Sequence, residues 1–312
     1  MIRARSLTLA LSALLSLSTV AACGSDSDAP TKVSAKTASL GTLTPGVIKV
    51  AVQPYAPYTS VRGNKIVGLD GDILAYAAKK LGLEIKPQVT DFAGMLAGVQ
   101  SRRVDITIGG VAWSADRQKQ GLFTDPPYYS PPAMAVRDGK TYRTVDDLKG
   151  LNLGTVEGYV WVKSIQDVPG AKLHAYPDAN GVFDDLGAGR VDVGFLDPLI
   201  IIAAQKQRPE LKISTQYLTP PTAAQVKAKP SYQYFQPYQT GFYLPKQDTK
   251  LEKAISAQID AMYKNGEMAK LVRKYGGDPQ QFLEPAAEVA TARRGVDRPA
   301  DWNPPSVAPS GQ

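Results

Sequence analysis

The chain has 312 residues, 43% of them hydrophobic and 21% charged, which is enough apolar material for more than one core and excludes a disordered or collagen-like polymer. A single cysteine, Cys23, and a single histidine, His174, exclude an internal disulfide framework and argue against a Cys/His zinc site or a Cys–His nucleophile pair. No metal and no cofactor are therefore expected, and the formal charge of +7, from 36 basic and 29 acidic residues scattered without a basic block, makes nucleic acid an unexpected partner.

The first predicted element is an export signal. Arg3 and Arg5 form a positive start, Leu7 to Val20 is an uncharged Leu/Ala/Ser/Thr run, and small residues lead to Cys23. The apolar run is too short to span a bilayer comfortably, and no later segment approaches the length of a transmembrane helix. The sequence Val20-Ala21-Ala22-Cys23 resembles the lipobox of bacterial lipoproteins, which implies removal of residues 1–22, lipidation of Cys23 and anchoring at the outer face of the cell membrane or at the periplasmic membrane surface. Losing Arg3 and Arg5 takes the formal charge from +7 to +5. Residues 23–44 read as a Ser/Asp/Thr/Ala-rich tether.

From Pro45 short β-type runs alternate with helical ones. Val47 to Gln53 reads as a strand; Asp72 is expected to cap a helix whose Leu74, Ala77, Ala78 and Leu81 share a face and which Gly82 ends. Leu83 to Val89 is strand-like, Ala93 to Ser101 helical, Val104 to Ile108 a strand, and Ser114 caps a helix running toward Gln120. This is the βαβ rhythm of a mostly parallel sheet flanked by helices.

After the Pro- and Tyr-rich DPPYYSPP (125–132) the rhythm restarts. Strands are expected at Leu151 to Thr155, Ala171 to Ala175, Val191 to Phe195 and Leu211 to Thr215, with helices near Val160 to Ile165, Asn180 to Ala188 and Pro198 to Lys206. Residues 219–239 are rich in Pro, Tyr and Gln, and Gly241 to Pro245 reads as one more strand. Leu251, Ile255, Ile259 and Met262 make one helical stripe and Met268, Leu271, Val272 and Tyr275 another, with Asn265-Gly266 between them. Beyond Pro285 apolar periodicity is lost, and residues 286–312 are expected to be a polar, Pro-rich tail without secondary structure.

Seven stretches in this order, VAVQPYAPY, GLDGDILAYAAKKLGLEI, MLAGVQSRRVDITIGG, WSADRQKQGLFTDPPYY, TVDDLKGLNLGTVEG, GAGRVDVGFLD and AISAQIDAMYKNGEMAKLVRKYG, resemble the family 3 extracellular solute-binding proteins of ABC transporters, most of all the polar amino-acid-binding branch. The resemblance spans about Gly46 to Gly277. It implies an α/β, two-lobed type II periplasmic-binding-protein fold, each lobe a mostly parallel sheet flanked by helices and the two joined by hinge strands. Lobe 1 would be 45–132 plus 240–285, lobe 2 133–239, and the hinges would lie near Ala133 to Arg137 and Gln239 to Leu244. The implied function is capture of an amino acid or derivative and delivery to permease subunits by a monomer that is not an enzyme. The alternatives are a cyclohexadienyl (prephenate/arogenate) dehydratase on the same fold and a sensory solute-binding lipoprotein.

An α-carboxylate needs a fork of donors, and Arg117 lies one turn after the cap Ser114, where its guanidinium joins a positive helix terminus. The resemblance places the corresponding Arg on the carboxylate, with Gly110 and Ala112 assisting; the plain structural reading is a surface Arg paired with Asp116. An α-ammonium needs a carboxylate at the end of a strand, and Asp197 follows VDVGFL, although Asp before Pro198 is also a common helix cap. By the resemblance, Tyr55 and Phe92 sandwich the solute; Tyr58 and Trp113 are near enough in sequence to contribute, or else pack in the core. Gly158-Tyr159-Val160-Trp161 replaces the hydroxyl-bearing turn of many relatives, which makes Tyr159 and Trp161 candidate liners. Val52 stands where binders of basic amino acids carry an acid, so an uncharged, aromatic or amide-bearing solute is favoured, with Asp91 leaving a basic one open. Asp70 and Asp72 are spaced like metal ligands but lack the continuation of a calcium loop, and His174 reads as structural.

Overall fold

The structure, a computed structural model, describes Thr37 and residues 39–307. The expected signal sequence, Cys23 and most of the tether lie outside the described residues, as do the last five positions.

The chain builds two five-stranded sheets. The first sheet takes β1 (Val47–Val52), β4 (Glu84–Val89) and β5 (Ile106–Thr107), in which β1 pairs in parallel with both neighbours. A small antiparallel hairpin of β2 (Ser60–Arg62) and β3 (Lys65–Val67), which sequence reading missed, stands beside it. β6 (Gly121–Phe123) closes the edge through β14 (Tyr243–Pro245), the return strand, which is antiparallel to β5 and β6. The order is β4-β1-β5-β14-β6. Ile48, Val50 and Val52 of β1 have no exposed surface, as expected of a central strand covered on both faces.

The chain then leaves through β7 (Tyr129–Ser130) and enters the second sheet with β8 (Ala133–Arg137). β9 (Asn152–Val156), β10 (Lys172–Tyr176), β11 (Val193–Phe195) and β12 (Ile213–Tyr217) complete the order β10-β9-β11-β8-β12. β9 is parallel to β10 and β11, while β8 is antiparallel to β11 and β12. The chain comes back through β13 (Tyr238–Gln239), which pairs with β7 as a two-stranded antiparallel ladder. Ala133 to Arg137, expected near a hinge, is thus an interior strand of the second sheet.

Helices connect the parallel strands as their apolar spacing predicts. Leu69–Leu81 buries Leu69, Ile73, Leu74, Ala77 and Ala78, and Gly82, left-handed at φ 69°, ends it by donating to the Ala78 and Lys79 carbonyls. Asp72 does not cap this helix. The helix begins three residues earlier behind Gly68, where a Cβ would sit 2.4 Å from the Tyr58 carbonyl oxygen, and Asp72 accepts from Lys274 Nζ at 2.6 Å and the Tyr275 hydroxyl at 2.8 Å. Thr249–Lys264 and Glu267–Lys274 carry the two expected stripes, with Leu251, Ile255, Ile259, Met262, Met268 and Val272 fully buried.

The segment beyond Pro285 departs from expectation. Ala287–Ala290 is a helical turn, and Arg293 after it has no exposed surface. Its guanidinium is held by the Asp297 carboxylate at 2.6–3.1 Å and donates to the carbonyls of Thr124 at 2.6 Å and Phe123 at 3.1 Å. Trp113 and Trp302 flank it at 5.9 and 5.8 Å. Arg298 meets Asp125 at 2.9 Å and Glu252 at 2.7 Å. A charged sequence without apolar period is fixed here by ion pairs and backbone carbonyls, which periodicity does not register.

Candidate functional site

Ligand sites of open α/β sheets lie beyond the carboxyl ends of the parallel strands, and five such ends supply the candidate residues. β1 runs into Gln53 and Tyr55, β4 into Phe92, β5 into Gly110 and Ala112, β9 into Gly158 and Tyr159, and β11 into Asp197. Phe92, Gly110, Ala112, Arg117, Tyr159, Trp161 and Asp197 line one crevice together with Val160 and Tyr238. Its free volume is about 10 Å³, close to that of a single water probe.

Arg117 reaches this crevice because Ser114, the N-cap of helix Ala115–Gln120, accepts the Arg117 N–H at 3.2 Å and fixes the first turn. The guanidinium lies 5.2 Å from the Phe92 ring centroid and donates to the carbonyls of Ala112 and Gly158, both at 2.7 Å. Burial pulls its pKa down. The alternative pairing with Asp116 does not form: Asp116 meets Lys119 at 2.8 Å.

Asp197, 2% exposed, occupies the N-cap position of helix Pro198–Gln207, but its side chain does not cap. Its carboxylate accepts hydroxyls from Ser130 at 2.8 Å, from Tyr55 at 2.9 Å and from Tyr238. Burial pushes its pKa up, and the three hydroxyls oppose that shift. Ser130 and Tyr238 belong to β7 and β13, so the two-stranded ladder between the sheets delivers two of the three donors. Sequence reading missed both residues; the Tyr- and Pro-rich stretches that hold them were the available signal.

Beneath the crevice Asp70, also 2% exposed, accepts the amides of Gly109 at 2.7 Å and Gly110 at 2.9 Å, and burial pushes its pKa up to about 6. It pins a turn in which Gly110 is left-handed at φ 68° and passes so close to Asp197 that a Cβ would lie 3.1 Å from Oδ2. Asp70 and Asp72 therefore serve separate structural contacts, and among the described residues no group of three or more His, Cys, Asp or Glu is placed to hold a metal ion. His174 meets Asn152 Oδ1 at 3.1 Å between β10 and β9.

The aromatic candidates divide. Tyr159 touches Phe92 at 4.7 Å, Tyr55 at 6.1 Å and Trp161 at 5.9 Å between ring centroids, and its hydroxyl accepts from Gln53 Nε2 at 2.9 Å. Trp161 backs the crevice with its indole N–H donated to the Tyr234 carbonyl at 2.9 Å. Tyr58 has no exposed surface and stacks behind Tyr55 at 5.7 Å and against Tyr128 at 5.8 Å, which makes it core. Trp113 is not among the residues that line the crevice; it lies against Arg293 and lines a separate cavity of about 140 Å³. Asp91 caps helix Phe92–Gln100, accepting from the Gly94 N–H at 2.6 Å.

The chain is 32% identical over 169 residues to ABC transporter arginine-binding protein 1 of Escherichia coli, covering 54% of this chain and 69% of that protein. It is 28% identical over 239 residues to the L-cystine-binding protein TcyJ of Escherichia coli, covering 74% of this chain and 83% of that protein. Among solved structures, the substrate-binding protein of an amino acid ABC transporter superposes with a TM-score of 0.63 at 26% identity, over 74% of this chain and 99% of that one. An ancestral arginine-binding protein bound to glutamine superposes with a TM-score of 0.65 at 26% identity, over 75% of this chain and 100% of that one. Both sheets and their helices thus follow the type II periplasmic-binding-protein fold. Residues 48–278 match the profile of the bacterial extracellular solute-binding proteins, family 3, and the chain belongs to that family.

Proposed function

We propose that this protein is an extracytoplasmic receptor that closes two lobes around an amino acid or amino-acid derivative and presents the closed form to the permease of an ABC transporter. The observation that carries this reading is the pairing of Arg117 and Asp197 across one crevice, each held by neutral dipoles and, among the described residues, neither in an ion pair with a side chain. A zwitterion supplies what both lack: a carboxylate for the guanidinium fork and an ammonium for the carboxylate. Tyr55, Phe92, Tyr159 and Trp161 would surround the rest of the solute, with the Gly110 and Ala112 backbone beside its carboxylate. Solute touching both lobes favours the closed state through its differential affinity.

In this reading Cys23 carries a lipid anchor and residues 23–44 act as the tether. The lobes are 45–132 plus 240–285 and 133–239, with β7 and β13 as the hinge. The protein is not an enzyme, and ATP hydrolysis belongs to other chains. Thermal-shift screening of the mature protein against the amino acids tests the reading, since a tight ligand raises the melting point with the logarithm of its saturation. A concentration-dependent rise is expected for at least one amino acid. Conversion of prephenate to phenylpyruvate would overturn it in favour of the dehydratase. Membrane fractionation of Cys23→Ala tests the anchor, with release or failed processing expected and unchanged fractionation against it.

A further inference from the structure

Tyr159 lies where the resemblance would have a solute side chain lie. It is carried from the end of β9, on the second sheet, and its ring touches Phe92 and Tyr55, which follow strands of the first sheet, while its hydroxyl accepts from Gln53 next to β1. The ring is 8% exposed and stands nearly perpendicular to Tyr55, at 88°, and at 69° to Phe92, both favourable edge-to-face arrangements. Gly158 tightens the same contact, since a Cβ there would meet Phe92 Cδ1 at 3.4 Å. In this arrangement the crevice has only about 10 Å³ of free volume, so even the smallest amino acid enters only when the lobes part.

We propose that Tyr159 is the specificity-determining residue of the cleft and that its ring restricts the solute to amino acids with short, uncharged side chains, of the size of glycine, alanine, serine or cysteine. This rests on the amino-acid reading above and deepens it. Arg117 and Asp197 lie beside the Tyr159 ring on the same crevice, so a headgroup can enter between them when the lobes part, while the ring closes back against Phe92 and Tyr55 and takes the volume a long side chain would need. Val52, fully buried, places no acid beside the ring, and Asp91 commits one carboxylate oxygen to its own helix terminus, accepting the Gly94 N–H. The ring rests on three aromatic neighbours and takes a hydrogen bond from Gln53, and it becomes a wall when closure restores its contacts with Phe92, Tyr55 and Gln53.

The test is calorimetric titration of wild type, Tyr159→Ala and Tyr159→Phe with glycine, alanine, serine, cysteine, glutamine, phenylalanine and arginine. Wild type is expected to bind one or more of the four short amino acids. Tyr159→Ala is expected to gain at least tenfold in affinity for glutamine or phenylalanine, and Tyr159→Phe, which keeps the ring and loses the Gln53 bond, should keep the wild-type ranking. Tyr159→Leu, which retains apolar contact with Phe92 and Trp161, replaces the Ala variant if that one does not fold, with the same expected gain. Wild-type preference for glutamine, phenylalanine or arginine over the short amino acids overturns the inference alone, as does an unchanged ranking in the Ala or Leu variant or a Phe variant that gains the large solutes. Binding of a larger amino acid outside these seven in place of the short ones overturns the inference alone, and absence of binding to all seven in every variant, with no thermal shift from any other amino acid, overturns the amino-acid reading and the inference with it.

Discussion

Arg293 is fully withdrawn from water and Arg117 partly so, and the fold answers them with different chemistry. Arg293, with no exposed surface, meets the Asp297 carboxylate and two backbone carbonyls between two indole rings. Arg117 meets two carbonyls and one aromatic face. The same contrast holds for the acids: Asp297 faces a guanidinium, whereas Asp197 is surrounded by three hydroxyls. A buried charge with an opposite charge beside it is complete as structure, but one stabilised only by neutral dipoles keeps a net charge for a ligand to meet. The clasp formed by residues 286–307 lies beyond the part of the chain shared with the family, and the crevice lies within it. The comparison therefore separates a segment closed by its own ion pairs from a crevice in which Arg117 and Asp197 have no ion-pair partner among the described residues.

The most severe way to break the contrast is to remove the paired cation. Arg293→Ala leaves the Asp297 carboxylate buried without its partner and the Thr124 and Phe123 carbonyls without donors, which should cost about 3–5 kcal/mol of stability. Denaturant unfolding measures this, and solute affinity at a temperature where the variant remains folded should be unchanged. Arg117→Ala should give the opposite pattern. Removing the carboxylate's partner should cost about 2–5 kcal/mol of binding, at least tenfold in affinity by calorimetry, while the unliganded protein loses less stability than Arg293→Ala does, because only the Ala112 and Gly158 carbonyls lose a donor and, among the described residues, no ion pair is broken. A large loss of stability in Arg117→Ala with affinity intact would erase the distinction.

A smaller effect concerns Asp70, which is faced by Tyr58, Tyr128 and Asp197 and holds the Gly109-Gly110 turn. Burial raises its folded pKa from 3.8 to about 6, so between these values the folded state binds the extra proton and stability falls as pH rises. The contribution is fully present below about pH 4 and lost above about pH 6. Relative to Asp70→Asn, wild type should therefore lose stability, on the order of 2–3 kcal/mol, between pH 4 and pH 7. Parallel pH profiles for the two proteins would show that Asp70 does not titrate in this window.

How far these features could be read from the sequence depends on the range of the interactions that make them. Ser114 and Arg117 lie three residues apart on one helical turn, and Asp197 ends a β-type run, so local pattern singles both out, and the structure brings them to one crevice. The stripes of Thr249–Lys264 and Glu267–Lys274 were legible for the same reason. Ser130 and Tyr238 meet Asp197 over separations of 67 and 41 residues, from stretches with no periodicity, and no local rule points to them. Arg293 was hidden because hydrophobic pattern marks apolar burial, whereas its burial is compensated by charge and carbonyls. Asp72 was misread because an acid in a first turn resembles a cap even when the helix has already begun at Leu69 behind a glycine.

The finest test asks whether crevice and clasp are independent, and Gln239 is placed to decide it. Its side-chain amide donates to the carbonyls of Val289 at 2.8 Å and Ala290 at 3.0 Å, tying the clasp to β13, and its neighbour Tyr238 on the same strand donates to Asp197. Gln239→Ala deletes both bonds, which should lower stability by about 1 kcal/mol, because each neutral hydrogen bond contributes little net and the lost side chain also removes a buried amide oxygen that has no partner. If the clasp only supports the fold, solute affinity stays within twofold of wild type. A change of tenfold would mean that β13 transmits the position of residues 286–307 to the Tyr238 hydroxyl and so to Asp197. The clasp would then belong to the binding equilibrium, because a solute that selects one arrangement of β13 must also select one arrangement of the segment bound to it.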